Sequence, residues 1–415
     1  MIAQQAFRYE LHPNAGQRVL LARHAGTARF AWNWALGERM RRYRECEGRQ
    51  RFTNAVEQHR HLNARKATEW PWMYEVSKCA PQEALRDLDR AFRNFVRARR
   101  ASRYCGFPRF KRKGIDDAFR LTGSIRVLGR AVQLPRLGAL RTKEGTEKFR
   151  GRILSATVRR EADRWYASLT VETERPDREP ILGPVSGVDL GLNSFAVISD
   201  GVREEAVVSP KPLGRSLRRL QRRSRAHSRK ARGSGNRRRS ALRLARLHRR
   251  IRNVRTDFLH KLSTTLATTK SVVVLEDLNV RGMVRNRRLA RPIVDAGWSS
   301  FRRMLEYKSR WYGSKVVVAP RFLASSKTCS ECGRVLESLA LSVRKWVCPA
   351  CGIEHDRDGN AARNLVAWYR LATGSSPESD ACREPSGGAE AYAAASHGSA
   401  KQESAVEDLS MAEER

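Results

Sequence analysis

From Ala206 to Thr256 the chain contains no aspartate and no glutamate, while arginine and lysine crowd both halves of the stretch. Like charges at that density repel one another unless a polyanion lies against them, which argues for nucleic-acid contact over a merely solvated face. Acids are scarce throughout: 43 Asp and Glu stand against 82 Lys and Arg in 415 residues, a formal net charge of +39. Nucleic acid is the first partner such an excess implies. The sequence also lacks an apolar run of about eighteen residues and any signal-peptide pattern, so neither a membrane span nor a secretory leader is expected. Cysteine is sparse outside one cluster: Cys46, Cys79, Cys105 and Cys382 show no pairing logic, which suits a reducing, cytoplasmic compartment.

Residues 6 to 11 alternate like a strand. Gln17 to Leu36 carry apolar positions at helical steps, read as a core-facing helical pair with a break near Gly26. A second helix, about Gln82 to Arg100, spreads Arg86, Arg90, Arg93 and Arg97 around an apolar face. Pro108 to Gly114 interleave Phe110 with cations, the combination that holds phosphates while rings stack on bases. Short alternating runs at 124–127, 131–134, 153–160 and 165–172 suggest an antiparallel sheet or small barrel. From Val185 the text turns to buried strands, then to two arginine-rich helices broken at Gly233 to Asn236, with Leu217, Leu220, Leu242, Leu244, Leu247 and Ile251 giving a helical hairpin. A valine-rich strand follows at 271–278, then a basic loop at Arg281 to Arg291, a helix through Trp298 to Tyr312 and a strand at 315–319. Beyond Thr373 the composition lacks the apolar content to pack, and disorder is expected.

Cys329-x-x-Cys332 and Cys348-x-x-Cys351 are separated by fifteen residues, the spacing of a four-thiolate zinc site. Four protein ligands close the coordination shell, so this Zn²⁺ is expected to be structural. Gly333 and Gly352 follow the knuckles and permit their tight turns. Four acids stand out, two of them in strands where burial is costly without a cation. Asp189 interrupts an apolar strand, Glu276 ends the valine-rich strand, and Asp356 and Asp358 open a helix starting near Asn360. Taken alone, capping is the plainer account of Asp356 and Asp358, whereas Asp189 is a functional candidate by its cost, with a turn cap as the lesser alternative. Together, a strand acid, a helical excursion, a second strand acid and an acid at a helix start make the plan of an RNase H-like nuclease. Such a centre holds two Mg²⁺ about 3.5 to 4 Å apart, by hard oxygen ligands.

The segments GVDLGLN, VLEDLN, SSKTCSECG, CPACG and HDRDGNAARNL, in this order, resemble the TnpB family of transposon-associated RuvC nucleases related to the type V CRISPR effectors. The segment from Phe7 to Leu36 resembles that family's helix-turn-helix, so the likeness spans about residues 5 to 370. The resemblance implies an α/β RuvC nuclease domain with an inserted four-cysteine zinc ribbon, plus an N-terminal mixed β-barrel and helical nucleic-acid-binding module. It places Asp189, Glu276 and Asp358 in the catalytic, Mg²⁺-holding positions and Cys329, Cys332, Cys348 and Cys351 on zinc. It implies a guide RNA from the element's end, a double-stranded DNA target and no membrane partner. The expected domains are 1–180 for the N-terminal module, 181–325 with 354–372 for the nuclease, 326–353 for the ribbon and 373–415 for the tail. A DNA-binding transposase, or a transposition or transcription regulator acting without guided cleavage, is the alternative.

Overall fold

The structure is a computed structural model and describes residues 2–46, 53–102, 104–147, 151–174, 178–340 and 342–374. The expected disorder of the tail concerns residues 375–415, which lie outside the described residues. The chain divides into two compact units, over residues 2–174 and 178–374.

The first unit opens with strand β1 (Ile2–Leu11) and helix α1 (Ala15–Glu45). Asn14 and Gln17 cap α1 reciprocally, each side chain accepting from the other's backbone N–H. The helix runs unbroken through Gly26, contrary to the helical pair expected from sequence, and the helix-turn-helix-like segment is here a strand followed by one long helix. One interior glycine costs about 1 kcal/mol, and the buried stripe of Leu21, Ala25, Ala28, Ala31, Trp32, Ala35 and Leu36 outweighs it. Helices α2 (Ala55–Lys66) and α3 (Cys79–Arg100) complete the helical layer, with α3 packing Ala84, Leu85 and Leu88 into the core it shares with α1.

Six strands follow: β2 (Ala118–Leu121), β3 (Arg126–Leu128), β4 (Ala131–Leu134), β5 (Gly138–Arg141), β6 (Arg152–Glu161) and β7 (Arg164–Glu174). They form an antiparallel sheet ordered β1-β7-β6-β2 and a small one ordered β3-β4-β5. The end of β1 meets β5 where His12 N–H donates to the Arg141 carbonyl. In the basic loop, Asn33 clasps the Lys111 backbone through both its N–H and its C=O. The Lys111 ammonium turns inward over the Trp32 ring at 3.9 Å, while Phe110 stays half exposed.

The second unit is a five-stranded sheet ordered β10-β9-β8-β11-β12. Strands β8 (Val185–Leu190), β9 (Ser194–Ser199) and β10 (Glu204–Val208) are antiparallel neighbours, followed by the hairpin helices α4 (Pro212–Ser228) and α5 (Gly235–Thr269). Strand β11 (Val272–Leu275) returns parallel to β8, pairing Leu275 with Val188. The stretch expected as a basic loop instead holds helices α6 (Val280–Met283) and α7 (Arg287–Ala296), capped by Asn279 and Asn286. Helix α8 (Trp298–Tyr312) leads to β12 (Lys315–Val318), parallel to β11.

Side chains of β11 alternate between two cores. Val273 and Leu275 pack with Leu259, Phe301 and Leu305 from α5 and α8. Val272 and Val274 pack on the opposite face. That face is covered by the last helix, α9 (Arg357–Thr373), through Leu365, Val366 and Tyr369. Between β12 and α9 the chain forms the cysteine ribbon with its hairpin of β13 (Lys345–Val347) and β14 (Glu354–Asp356). Among the described residues no helix is long and apolar enough to cross a membrane.

Candidate active site and cysteine ribbon

Strand periodicity places the first two acids. Val185, Gly187 and Asp189 share the α9 face of β8, and Val272, Val274 and Glu276 the same face at β11. Since β8 and β11 are parallel neighbours, Asp189 and Glu276 emerge together just beyond the Val188–Leu275 pair. Gly187 brings in the third: a Cβ there would lie 2.1 Å from the Ala362 carbonyl, so only glycine lets α9 press directly on β8. The start of α9, carrying Asp358, then stands beside Asp189. Asp277, one residue on, faces the other way and pairs with Arg302 and Arg321.

Asp356 and Asp358 do different things. Asp356 is the N-cap of α9, its Oδ1 accepting from the N–H groups of Asp358 and Gly359 at 3.1 and 3.0 Å. Asp358 is left to face Asp189 and Glu276. Burial holds the Asp189 carboxyl well above the usual range, and the negative charges of Glu276 and Asp358 add to it. Glu276 is raised first by burial, against the Ser325 hydroxyl, whose hydrogen bond favours the carboxylate. Three carboxylates that repel one another in a half-buried site are a hard-oxygen set with too little positive charge. A divalent cation fits that deficit.

Two arginines supply part of it, and neither was evident from the sequence. Arg344, just before β13, reaches Asp358 with one guanidinium N–H at 3.0 and 3.3 Å from its two oxygens. Arg357 lowers Asp189 and Glu276 by its charge, while its own N–H holds the Ala340 carbonyl. Between the knuckles Arg344 reads as one more cation of a basic chain, so no local signal marks it.

The four cysteine sulfurs lie within 4.8 Å of one another. The Cys329–Cys351 and Cys332–Cys348 sulfurs are each 3.6 Å apart, close to the roughly 3.8 Å edge of a tetrahedron with 2.3 Å zinc–sulfur bonds. The two knuckles repeat one hydrogen-bond pattern: Gly333 N–H to Cys329 C=O and Gly352 N–H to Cys348 C=O, both glycines left-handed. The Cys351 N–H, against burial and helped by that of Ala350, pulls the Cys348 thiol down to about 6. Cys351, opposed by the Ile353 N–H, is pushed up to about 12 by burial and the neighbouring sulfurs. Four sulfurs crowded in this way suit a zinc ion, which favours their thiolate form. Buried His355 touches the Cys329 sulfur through Nε2 at 3.1 Å and lies against the Trp346 ring.

The arginine-rich hairpin forms as its sequence indicated. Its first helix lacks a cap of its own, and Asp295 of α7 supplies one, accepting from the N–H groups of Leu213 and Gly214 at 3.0 and 2.9 Å. Arg218, Arg219 and Arg222 are exposed on α4. On α3, Arg86 and Arg90 pair with Glu83 and Asp87, whereas Arg93 and Arg97 stand exposed.

Three family models match the chain: OrfB_IS605, described as "Probable transposase", over residues 168–287; a Cas12f1-like TNB domain over 298–365; and a helix-turn-helix domain of OrfB_IS605 over 1–49. A Streptomyces pristinaespiralis protein named "Putative RNA-guided DNA endonuclease" is 40% identical, covering 88% of this chain and 89% of its own. A Mycobacterium tuberculosis protein of the same description is 37% identical over 96% of this chain and 95% of its own. An Escherichia coli K12 protein, InsQ, again so described, is 33% identical over 88% and 92%. Among solved structures, the protein of a Cas12f1-sgRNA-target DNA complex superposes with a TM-score of 0.50 at 13% identity, covering 88% of this chain and 99% of that one.

Proposed function

Because the chain belongs to the family of these OrfB/TnpB-type endonucleases, we propose that it is itself an RNA-guided DNA endonuclease of a transposable element, with an RNase H-like cutting centre at Asp189, Glu276 and Asp358. The observation that carries this reading is the meeting of those three acids at one end of parallel strands, on the face that Gly187 opens to α9. They would hold Mg²⁺, and Cys329, Cys332, Cys348 and Cys351 would hold Zn²⁺. What magnesium supplies, once bound, is a nucleophilic water and charge for the leaving oxygen of the phosphodiester. The residues themselves do the holding and aiming. Asp189 sits in strand β8, Glu276 just past the end of β11, and Asp358 on a helix capped by Asp356. Arg344 pairs with Asp358, and its half-exposed guanidinium would also suit a phosphate oxygen of the bound strand.

The N-terminal unit and the α4–α5 hairpin would grip guide RNA and DNA by phosphate contact, leaving the reading of sequence to base pairing. The alternative, a DNA-binding transposase or regulator that does not cut, needs the acids to serve as caps. Asp356 does so, but Asp358 is left facing two other acids at a cost that capping does not explain. The test is reconstitution. Protein purified free of RNA should leave a defined target intact with Mg²⁺ present, and the element's terminal RNA should restore cutting at the site that RNA pairs with. Site-specific cutting without RNA would refute the guide; no cutting under any condition would refute the nuclease.

A further inference from the structure

Glu276 and Asp358 come from elements far apart in the chain, and one group of buried side chains joins them. The Ser325 hydroxyl donates to Glu276 Oε1 at 2.8 Å. The Ser325 carbonyl in turn accepts from Asn364 Nδ2 at 2.7 Å and Asn360 Nδ2 at 3.3 Å, both on α9. The same two amides reach the Thr328 carbonyl at 2.6 and 2.7 Å, so each Nδ2 spends both its N–H bonds on this segment. Asn360 Oδ1 then accepts from the Ser330 N–H. Ser325, Asn360 and Asn364 are 4%, 0% and 8% exposed. Asn360 follows Asp358 by two residues, and the clasped segment contains Cys329.

We propose that Ser325, gripped by Asn360 and Asn364, is the positioning group that fixes Glu276 relative to Asp358 and makes that spacing depend on the cysteine ribbon. The inference rests on the reading of Asp189, Glu276 and Asp358 as ligands of a divalent cation. Strand β11 ends at Leu275, so the ladder does not hold Glu276. Repulsion from Asp189 and Asp358 would swing a long, rotamer-rich side chain outward. The serine hydroxyl opposes this, occupying Oε1 and leaving Oε2 free for a cation. Because the serine is itself fastened to α9, the helix that carries Asp358 also sets Glu276. The two acids therefore hold their separation as one piece, and the metal finds its ligands already arranged.

Mn²⁺ alone is the probe, its binding to the nucleic-acid-free full-length protein followed by the electron paramagnetic resonance of the free ion. Asp189→Ala defines the background. Ser325→Ala should bind Mn²⁺ roughly tenfold more weakly with zinc content unchanged, Asn364→Ala should shift the same way, and Ser325→Thr, which keeps the hydroxyl, should restore binding. Native Mn²⁺ affinity in Ser325→Ala, with Asp189→Ala and Glu276→Ala both impaired, would overturn the positioning role and leave the metal site standing. Native affinity in Asp189→Ala and Glu276→Ala would instead remove the site on which the proposal rests.

Discussion

Asp189 is a half-buried carboxylate whose neighbours are two more carboxylates, and that conflict makes it measurable without any substrate. Asp189→Asn should abolish cutting, yet raise the melting temperature of the metal-free protein by about 2–4 °C per kcal/mol of repulsion relieved. Mg²⁺ should stabilise the native protein but not this variant; a lower melting temperature for the variant would contradict the proposed repulsion. Lys308, a buried residue, shows the effect of burial on a charge of the opposite sign. Its ammonium donates to the His260 carbonyl and to the Ser263 and Thr264 hydroxyls, and burial brings its pKa down to about 8. An unfolded lysine titrates near 10.4, so between about pH 8 and 10 the unfolded chain holds a proton that the folded protein has released. The penalty on folding is full below that window and fades as pH rises through it. Urea titrations at about pH 7.5 and 9.5 should therefore show the native protein gaining on Lys308→Met at the higher pH. Residues of this kind divide by legibility. Asp189, Glu276 and the four cysteines stand out because burial or spacing makes their types costly, whereas Ser325, Asn360 and Lys308 act through contacts made across 35 to 49 residues, which no local pattern records.

At the scale of elements, α9 is the piece that everything else must accommodate. Gly187→Ala would drive a methyl group into the Ala362 carbonyl, displacing α9 from β8. A loss of roughly 1–3 kcal/mol is expected, with cleavage falling further than stability alone explains, because Asp358 moves too. Stability and cutting both at native levels would show that α9 has room to spare. Cys332→Ser should release zinc, read by metal analysis, and reduce cutting through the same helix, since the ribbon segment is fastened to Asn360 and Asn364. The strands, the hairpin and the knuckles were legible because their periodicity or spacing is regular. The unbroken α1 was not, since a glycine at position 26 looks like a stop until the buried stripe on both sides is seen. Helices α6 and α7 were hidden by their arginines and by Pro292, although Val280, Met283 and Ile293 fold into the core beneath α8.

For the molecule as a whole, charge dominates. A chain at +39 should lose nucleic-acid affinity linearly in log salt, by roughly a thousandfold between about 50 and 200 mM. Replacing exposed Arg218, Arg219 and Arg222 with glutamine should flatten that slope by about 0.7 to 0.9 for each lost phosphate contact; an unchanged slope would place the nucleic acid elsewhere. The strand order carries a different consequence, in time. Val188 pairs with Leu275 only after the hairpin has been made, and α9 closes the opposite face last of all. As the chain leaves the ribosome, the first sheet, the basic loop and the arginine-rich helices emerge before Glu276, and the ribbon emerges before Asp358. A partly synthesised protein therefore already displays cationic surface while the proposed cutting centre lacks a wall. On the proposed function, nascent chains would take up RNA before they could break DNA, and truncation anywhere before α9 should leave a binder without an edge.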